Sequence, residues 1–299
     1  MDRLDAMGAF VRVVERRSFT LAAQDLGLPR STVTDAVKRL EARLGVQLLV
    51  RTTRHVSPTP DGEAYHARCT RLLAEIEDVE ASLAGSKPRG TLRVDVQGTL
   101  ARHFLLPRLQ GFLDAFPDIV LHLGEGERFV DLVREGVDCV LRSGALTDSD
   151  MISRRVASLP QVTVAAPAYL ERHGVPASPD DLDGQRAVGF FSSASGAVLP
   201  LEFTFAGAVV TRSPATALSV NGADTYAEAA LLGLGIAQAP RYRFAADLQA
   251  GRLVEILAAW PPPPLPVSLL YPRSHQLSPR VRAFRDWAVA AFRGEGVGA

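Results

Sequence analysis

The sequence predicts an α+β multidomain protein: a small helical head with a short wing, one long helix, and a larger α/β body of two subdomains. Three observations carry that expectation. Apolar residues in the first 44 positions recur at helical spacing, residues 60–85 hold one narrow apolar seam, and from residue 90 the pattern switches between strand and helix periods. With 299 residues the chain is long enough for two or three units with cores of their own.

Residues 3–16 carry Leu4, Met7, Phe10, Val11 and Val14 at helical spacing and predict a first helix. Ser18 is placed to cap a second, with Phe19 plugging the small core and Ala22, Ala23 and Leu26 as its apolar face. Gly27 supplies the tight turn, since glycine takes positive φ without steric penalty. Ser31 is the expected N-cap of a third helix over 31–45, in which Val33, Val37, Leu40 and Leu44 form the stripe. Thr34, Asp35, Lys38 and Arg39 take the solvent side. Two short helices with small facing residues and a glycine turn predict a helix-turn-helix whose third helix reads DNA. The bland alternative is a generic helical hairpin.

After Gly45, residues 46–58 read as a hairpin in which Val46, Leu48 and Val50 alternate. Arg51 and Arg54 flank the turn Thr52-Thr53, from which a wing can reach phosphates or the minor groove. In isolation such a pair would be two solvated arginines. Thr59-Pro60-Asp61 combines an N-cap, a proline at the first helical position and an acid at the positive dipole end. The helix it opens runs to about Gly85, roughly 40 Å. Tyr65, Cys69, Leu72, Ile76, Val79 and Leu83 fall at steps of four and three, a heptad-like seam predicted to pair with the same helix of a second subunit. Cys69 reads as a small seam residue and not as a redox switch.

Residues 85–90 form a compositional hinge, which sets expected domains of 1–58, 59–86 and 87–299. Beyond it, residues 91–96, 119–124 and 137–144 are strands, separated by helices at 102–117 and 128–136. That β-α-β-α-β order demands a parallel sheet with right-handed crossovers. A second subdomain spans 161–266, with strands at 162–167, 187–191, 201–210, 217–222, 235–240 and 253–257 and helices at 225–235 and 242–251. The prolines of 261–266 form an extended strap, by which a strand at 267–272 and a helix at 278–292 return to the first subdomain (90–160 and 267–294).

Hydrophobic content of 47% and charged content of 22% exclude a disordered chain. Formal net charge is zero, so the whole chain is no bulk binder of polyanions, yet residues 1–58 carry an excess of four positive charges. The two cysteines support neither a disulfide framework nor a zinc site, and no cofactor is expected. The charged start lacks the apolar core of a signal peptide and no run of eighteen apolar residues occurs, so the expected place is the cytoplasm with no membrane partner.

The order of helix-turn-helix, wing with RTTR, TPDGE, long helix and two α/β subdomains resembles the LysR-type transcriptional regulators of bacteria over essentially the full chain. Residues 18–62 are its most specific part, and FVDLVREGVDCVLRSG and ALLGLGIAQAP are similar to the family's effector domain. The resemblance implies a homodimer or homotetramer on promoter DNA, RNA polymerase as partner if it activates, and a periplasmic-binding-protein-like body with an effector site between its subdomains. It implies base contacts at Ser31, Thr32 and Thr34. Members often carry arginine, lysine or glutamine where this chain has Asp35, and glutamine or lysine where it has Arg30. Asp35 could accept from cytosine N4, or hold Lys38 or Arg39 as a helical pair.

Ligands of open α/β sheets sit beyond the carboxyl ends of the strands. Those ends are Gln97, Gly98, Thr99 and Leu100 after the first strand and Arg142 with Ser143 after the third. In the second subdomain they are Phe191, Ser192, Ser193 and Ser195, then Asn221 and Asp224. Serines in such loops are usually turn formers. Arg128 is a further candidate, against a solvated ion pair. This set suits a small carboxylate or aromatic effector. No histidine has metal-ligand spacing, and no phosphate loop, nucleophile elbow or dinucleotide fingerprint is present, so catalysis is not expected. The competing readings are an α/β binding protein or enzyme with an accessory N-terminal dimerisation domain, and an architectural DNA protein, which leaves the two subdomains unexplained.

Overall fold

The computed structural model describes residues 1–51, 56–83, 87–126, 136–144, 151–193, 195–272 and 278–293, without the side chains of residues 51, 78 and 81–83. The chain divides into two compact units, one essentially Met1–Lys87 and the other essentially Pro88–Ala299. The expected helix over 128–136, with Arg128, lies outside the described residues.

In the first unit, α1 (Arg3–Arg16) starts at Asp2, whose carboxylate accepts from the Asp5 amide at 2.8 Å while the Asp5 carboxylate accepts from the Asp2 amide at 2.9 Å. Met7, Phe10, Val11 and Val13 are buried, whereas Leu4 is exposed, so the inward face is rotated from the one expected. Ser18 caps α2 (Phe19–Leu26) by accepting from the Leu21 amide, and Gly27 ends it at φ 64°. Helix α3 (Arg30–Leu44) begins one residue earlier than expected, with extended Pro29 and not Ser31 in the cap position. Proline fixes the chain at the entry angle, and no side chain caps the first turn; the Thr34 hydroxyl instead donates back to the Arg30 carbonyl at 2.8 Å. Val33, Ala36, Val37 and Leu40 close the core against α1 and α2.

The wing is the two-stranded antiparallel pair β1 (Leu49–Arg51) and β2 (Val56–Pro58), in the register Arg51↔Val56. The expected alternation fails here. Leu48 and Leu49 are both buried and Val46 and Val50 are exposed, because the chain is still turning off α3 as it enters the core. Glu41 fixes that turn, its carboxylate accepting from the Leu48 and Leu49 amides at 3.0 and 3.1 Å. Thr59 then caps α4 (Pro60–Leu83): its hydroxyl accepts from the Gly62 amide at 2.9 Å and donates to the Gln47 carbonyl at 2.8 Å.

Helix α4 does have a neighbour of its own, which corrects the expected dimer seam. Cys69 is fully buried in the core of its own unit, and Tyr65 packs there with its ring 5.6 Å from Phe10. Leu73, outside the seam, packs inward as well. Leu72 and Val79 are exposed and Ile76 is half-buried, so the stripe is split lengthwise between core and outer face. The Leu83 side chain lies outside those described.

The second unit has two lobes. The first is a five-stranded sheet ordered β4-β3-β5-β14-β6. Strand β3 (Gly90–Val96) runs parallel to β4 (Ile119–Glu125) and β5 (Cys139–Ser143), while β14 (Leu265–Pro272) returns antiparallel between β5 and β6 (Met151–Leu159). The sequence reading missed β6: it is an edge strand, and Arg154 and Arg155 on its exposed end break the apolar alternation. The helix expected at 102–117 is broken. It opens as α5 (Gly98–Leu100), passes through a π-turn and a 3₁₀-turn to Arg108, and resumes as α6 (Leu109–Ala115), since Pro107 has no amide to continue the ladder. Within the break Leu106 is exposed, whereas Phe104 and Leu105 are buried. Helix α10 (Pro279–Arg293) covers the sheet with Val281, Phe284, Ala288 and Phe292.

The second lobe holds the three-stranded sheet β12-β7-β13 and the parallel pair β11-β8, joined by a bridge between Ala187 and Ile236. Here β7 is Gln161–Ala165, β8 Arg186–Phe190, β11 Ala215–Val220, β12 Ala237–Pro240 and β13 Val254–Ile256. The single strand expected at 201–210 is a hairpin, β9 (Leu201–Phe205) and β10 (Ala208–Arg212), turning through Ala206 and Gly207 at φ 47° and 82°. Alanine in the first of those positions hid the turn. Helices α7 (Pro167–His173, not expected), α8 (Ala223–Leu231) and α9 (Arg241–Gln249) complete the lobe around Tyr169, Phe203, Ala230 and Phe244.

Candidate nucleic-acid interface and effector cleft

On α3 the buried residues occupy one side, which turns Arg30, Ser31, Asp35, Lys38 and Arg39 outward; Thr32 and Thr34 are half-buried at the edges of that face. These seven side chains form a continuous polar surface of mixed charge. Asp35 does not hold Lys38 or Arg39: its carboxylate makes no ion pair or hydrogen bond among the described residues. Arg51 enters the wing through its backbone pairing, and its side chain and Arg54 lie outside what is described. Glu41, which sequence reasoning passed over, joins the end of α3 to the base of the wing. Its only signal was an acid one turn before a helix-ending glycine.

The carboxyl ends of β3 and β5 converge. The Gln97 side-chain carbonyl accepts from the Ser143 amide at 2.8 Å and from its hydroxyl at 2.6 Å. Thr99 is buried, and its hydroxyl meets the Tyr242 hydroxyl of the other lobe at 3.0 Å. A Cβ at Gly98 would stand 2.5 Å from the Glu125 carboxylate, so any side chain there would make Glu125 swing aside. Two candidates fall out of the site. Leu100 is sealed in the first lobe's core, and Arg142 is a buried partner of Asp95, not a cation facing a cleft.

In the second lobe, Ser192, Ser193 and Ser195 build a turn: Ser192 donates its amide to the Ala197 carbonyl, and the Ser195 hydroxyl accepts from the Ala197 amide at 3.3 Å. Phe191 is half-buried and bridges to Val198. Asn221 is half-buried where β11 ends, next to Asp224 in the first turn of α8. Asp224 is held by two arginines, Arg102 of the first lobe and Arg243 of its own at 2.7 Å. Burial works against its charge, yet both guanidiniums outweigh the burial and hold the carboxyl below its ordinary value. Tyr242 packs edge-on against His103 and Phe104 of the first lobe, at 4.8 and 4.9 Å between ring centres. Arg102, Tyr242 and Arg243 were not singled out from sequence, since nothing local distinguishes them from other helix surface residues.

Among the described residues no cluster of histidine, cysteine and carboxylate could hold a metal, and no helix is long and apolar enough to cross a membrane. A DNA-reading head joined to a two-lobed α/β sensor defines a class of ligand-responsive transcription factor. Residues 4–63 match the family described as the bacterial regulatory helix-turn-helix protein, lysR family, and residues 85–293 the LysR substrate binding domain. The chain is 38% identical to the uncharacterised HTH-type transcriptional regulator YhjC of Escherichia coli strain K12, over 98% of this chain and 99% of that one. It is 39% identical to the HTH-type transcriptional repressor PA14_22550 of Pseudomonas aeruginosa strain UCBPP-PA14, over 98% and 93%. The solved structure of CrgA, a LysR-type transcriptional regulator from Neisseria meningitidis, is similar with a TM-score of 0.59 and 30% identity, covering 96% of this chain and 97% of that one. The chain belongs to the LysR-type family of transcriptional regulators. It is a DNA-binding, self-associating regulator responsive to a small molecule, not an enzyme.

Proposed function

We propose that the outward face of α3 reads an operator through Arg30, Ser31, Thr32, Thr34 and Asp35, with Lys38, Arg39 and the wing arginines 51 and 54 placing it on the phosphates. The effector enters between the lobes near Gln97, Thr99, Ser143, Asn221 and Asp224. One observation carries the cleft assignment: at the carboxyl end of β3 the lobes are joined by polar, exchangeable contacts, Thr99 to Tyr242 and Arg102 to Asp224. A small carboxylate fits this place, because it can accept from the same guanidiniums that Asp224 now occupies. Ligand binding that favours one arrangement of the lobes then biases one arrangement of subunits, and with it the spacing of two recognition helices.

A mobility shift on DNA upstream of the gene tests the regulator, and a thermal-shift panel of small carboxylates and aromatic acids tests the cleft. A shift that the active compound alters is the expected result. No shift of any promoter-proximal DNA at low salt, with dimers intact, would sink the reading. Asp35→Ala compared across operator variants should change base preference at one position; an equal loss on all variants would assign Asp35 a structural role instead.

A further inference from the structure

A cavity of about 440 Å³ lies on the flank of α3, between that helix and the start of α1. Its wall brings together Arg3 from α1 and Arg39 and Arg43 from α3, with Asp2, Thr32 and Asp35. None of the three arginines makes an ion pair or hydrogen bond among the described residues. The Asp2 carboxylate is occupied with the Asp5 amide of α1, which leaves the three guanidiniums facing one free carboxylate, that of Asp35, among those residues. Lone arginines on a surface are ordinary; three from two helices converging on one concavity are a prepared anion site.

Its position says which anion. A helix about 10–12 Å across fills a major groove about 12 Å wide, so the flanks of a seated recognition helix lie against the sugar-phosphate strands. At about 100° per residue, Arg39 and Arg43 fall between the outermost positions, Ser31 and Lys38, and the buried ones, Val33 and Leu40. We infer that this cavity is a backbone-phosphate clamp, in which Arg3 and Arg43, neither at a base-facing position, join Arg39 in gripping a strand edge of duplex DNA. The phosphate oxygens would accept from guanidinium N–H groups of two helices at once, locking the angle at which α1 and α3 meet the duplex. This also accounts for a reader with a modest net charge: its positive groups are concentrated where phosphates pass.

The clamp presupposes a DNA-binding regulator, and one titration separates the two. Full-length protein is titrated with a generic duplex of about 30 base pairs and with the upstream promoter duplex, across salt from roughly 50 to 200 mM. Arg3→Gln and Arg43→Gln are expected to weaken both duplexes by the same factor, on the order of tenfold, and to reduce the slope of log affinity against log salt by about 0.9 for each phosphate no longer neutralised. Arg43→Lys keeps the charge and should restore the slope. Because neither arginine makes an ion pair or hydrogen bond among the described residues, circular dichroism melts should match the wild type. An unchanged slope in both variants, or a loss confined to one base position, overturns the clamp while leaving the regulator intact. Failure of the wild type to bind either duplex indicts the regulator reading itself.

Discussion

Arg16 reaches from α1 to Asp25 on α2 with two hydrogen bonds, of 2.6 and 2.8 Å, and so ties the first two helices of the head. The paired guanidinium holds the Asp25 carboxyl below its ordinary value. A depressed folded value means that the pair contributes fully above the unfolded carboxylate value of about 3.9 and loses its contribution as pH falls through the folded one. Melting temperature followed from neutral pH into acid should therefore fall more steeply for the wild type than for Asp25→Asn, and parallel curves would show that the pair contributes nothing. The two thiols pose a different residue-scale question. Burial pushes both Cys69 and Cys139 up, Cys139 well above the ordinary thiol value. Since the thiolate is the reactive form, a disulfide reagent at about pH 8 should label neither in the native protein and both in denaturant. Rapid labelling of the native protein would contradict that burial.

At the scale of elements, the joint between α3, the wing and α4 depends on two small features. Glu41→Ala removes the acceptor for the Leu48 and Leu49 amides, and denaturant unfolding should show a loss of about 1–3 kcal/mol, the cost of leaving buried donors unmet. Gly62→Ala should destabilise by a similar amount, about 1–3 kcal/mol, because the added Cβ runs into the Leu48 carbonyl and backbone has to move. Helix α4 divides its duties along its length. Its buried edge, Cys69 and Tyr65, belongs to the protomer, and its exposed edge, Leu72 and Val79, is open to a second copy. Leu72→Glu with Val79→Glu is accordingly expected to shift sedimentation toward monomer without lowering helix content; an unchanged oligomer would move self-association off this edge.

For the molecule as a whole, the cleft contacts join the lobes through groups that a ligand can displace. Asp224 occupies two arginines that would otherwise attract an anion. Asp224→Ala should consequently raise the affinity of the full-length protein for small carboxylates measured by calorimetry, while neutral compounds of the same shape bind as before. Equal affinity in both proteins would remove Arg102 and Arg243 from the site. Any effector that acts must distinguish the lobe arrangements, so the same variant should also lower the concentration at which a carboxylate alters DNA binding.

The helices of the head and most strands of the body were legible in the sequence because their causes are local. Gly27 at positive φ, Ser18 and Thr59 at helix starts, and valines and leucines at regular steps each act within a few residues. The sites resisted for the opposite reason. Leu100 and Arg142 stand at strand ends, as a ligand contact should, yet one is core and the other a buried partner of Asp95. Tyr65 and Cys69 keep heptad spacing, yet α1 claims them before any second subunit can. Arg102, Tyr242 and Arg243 become neighbours of Thr99 and Asp224 only once distant stretches of the chain have folded back on one another. Periodicity records which face of an element is apolar. Which surface covers that face, and which charges meet across a cleft, is decided by long-range packing that no short window of sequence contains.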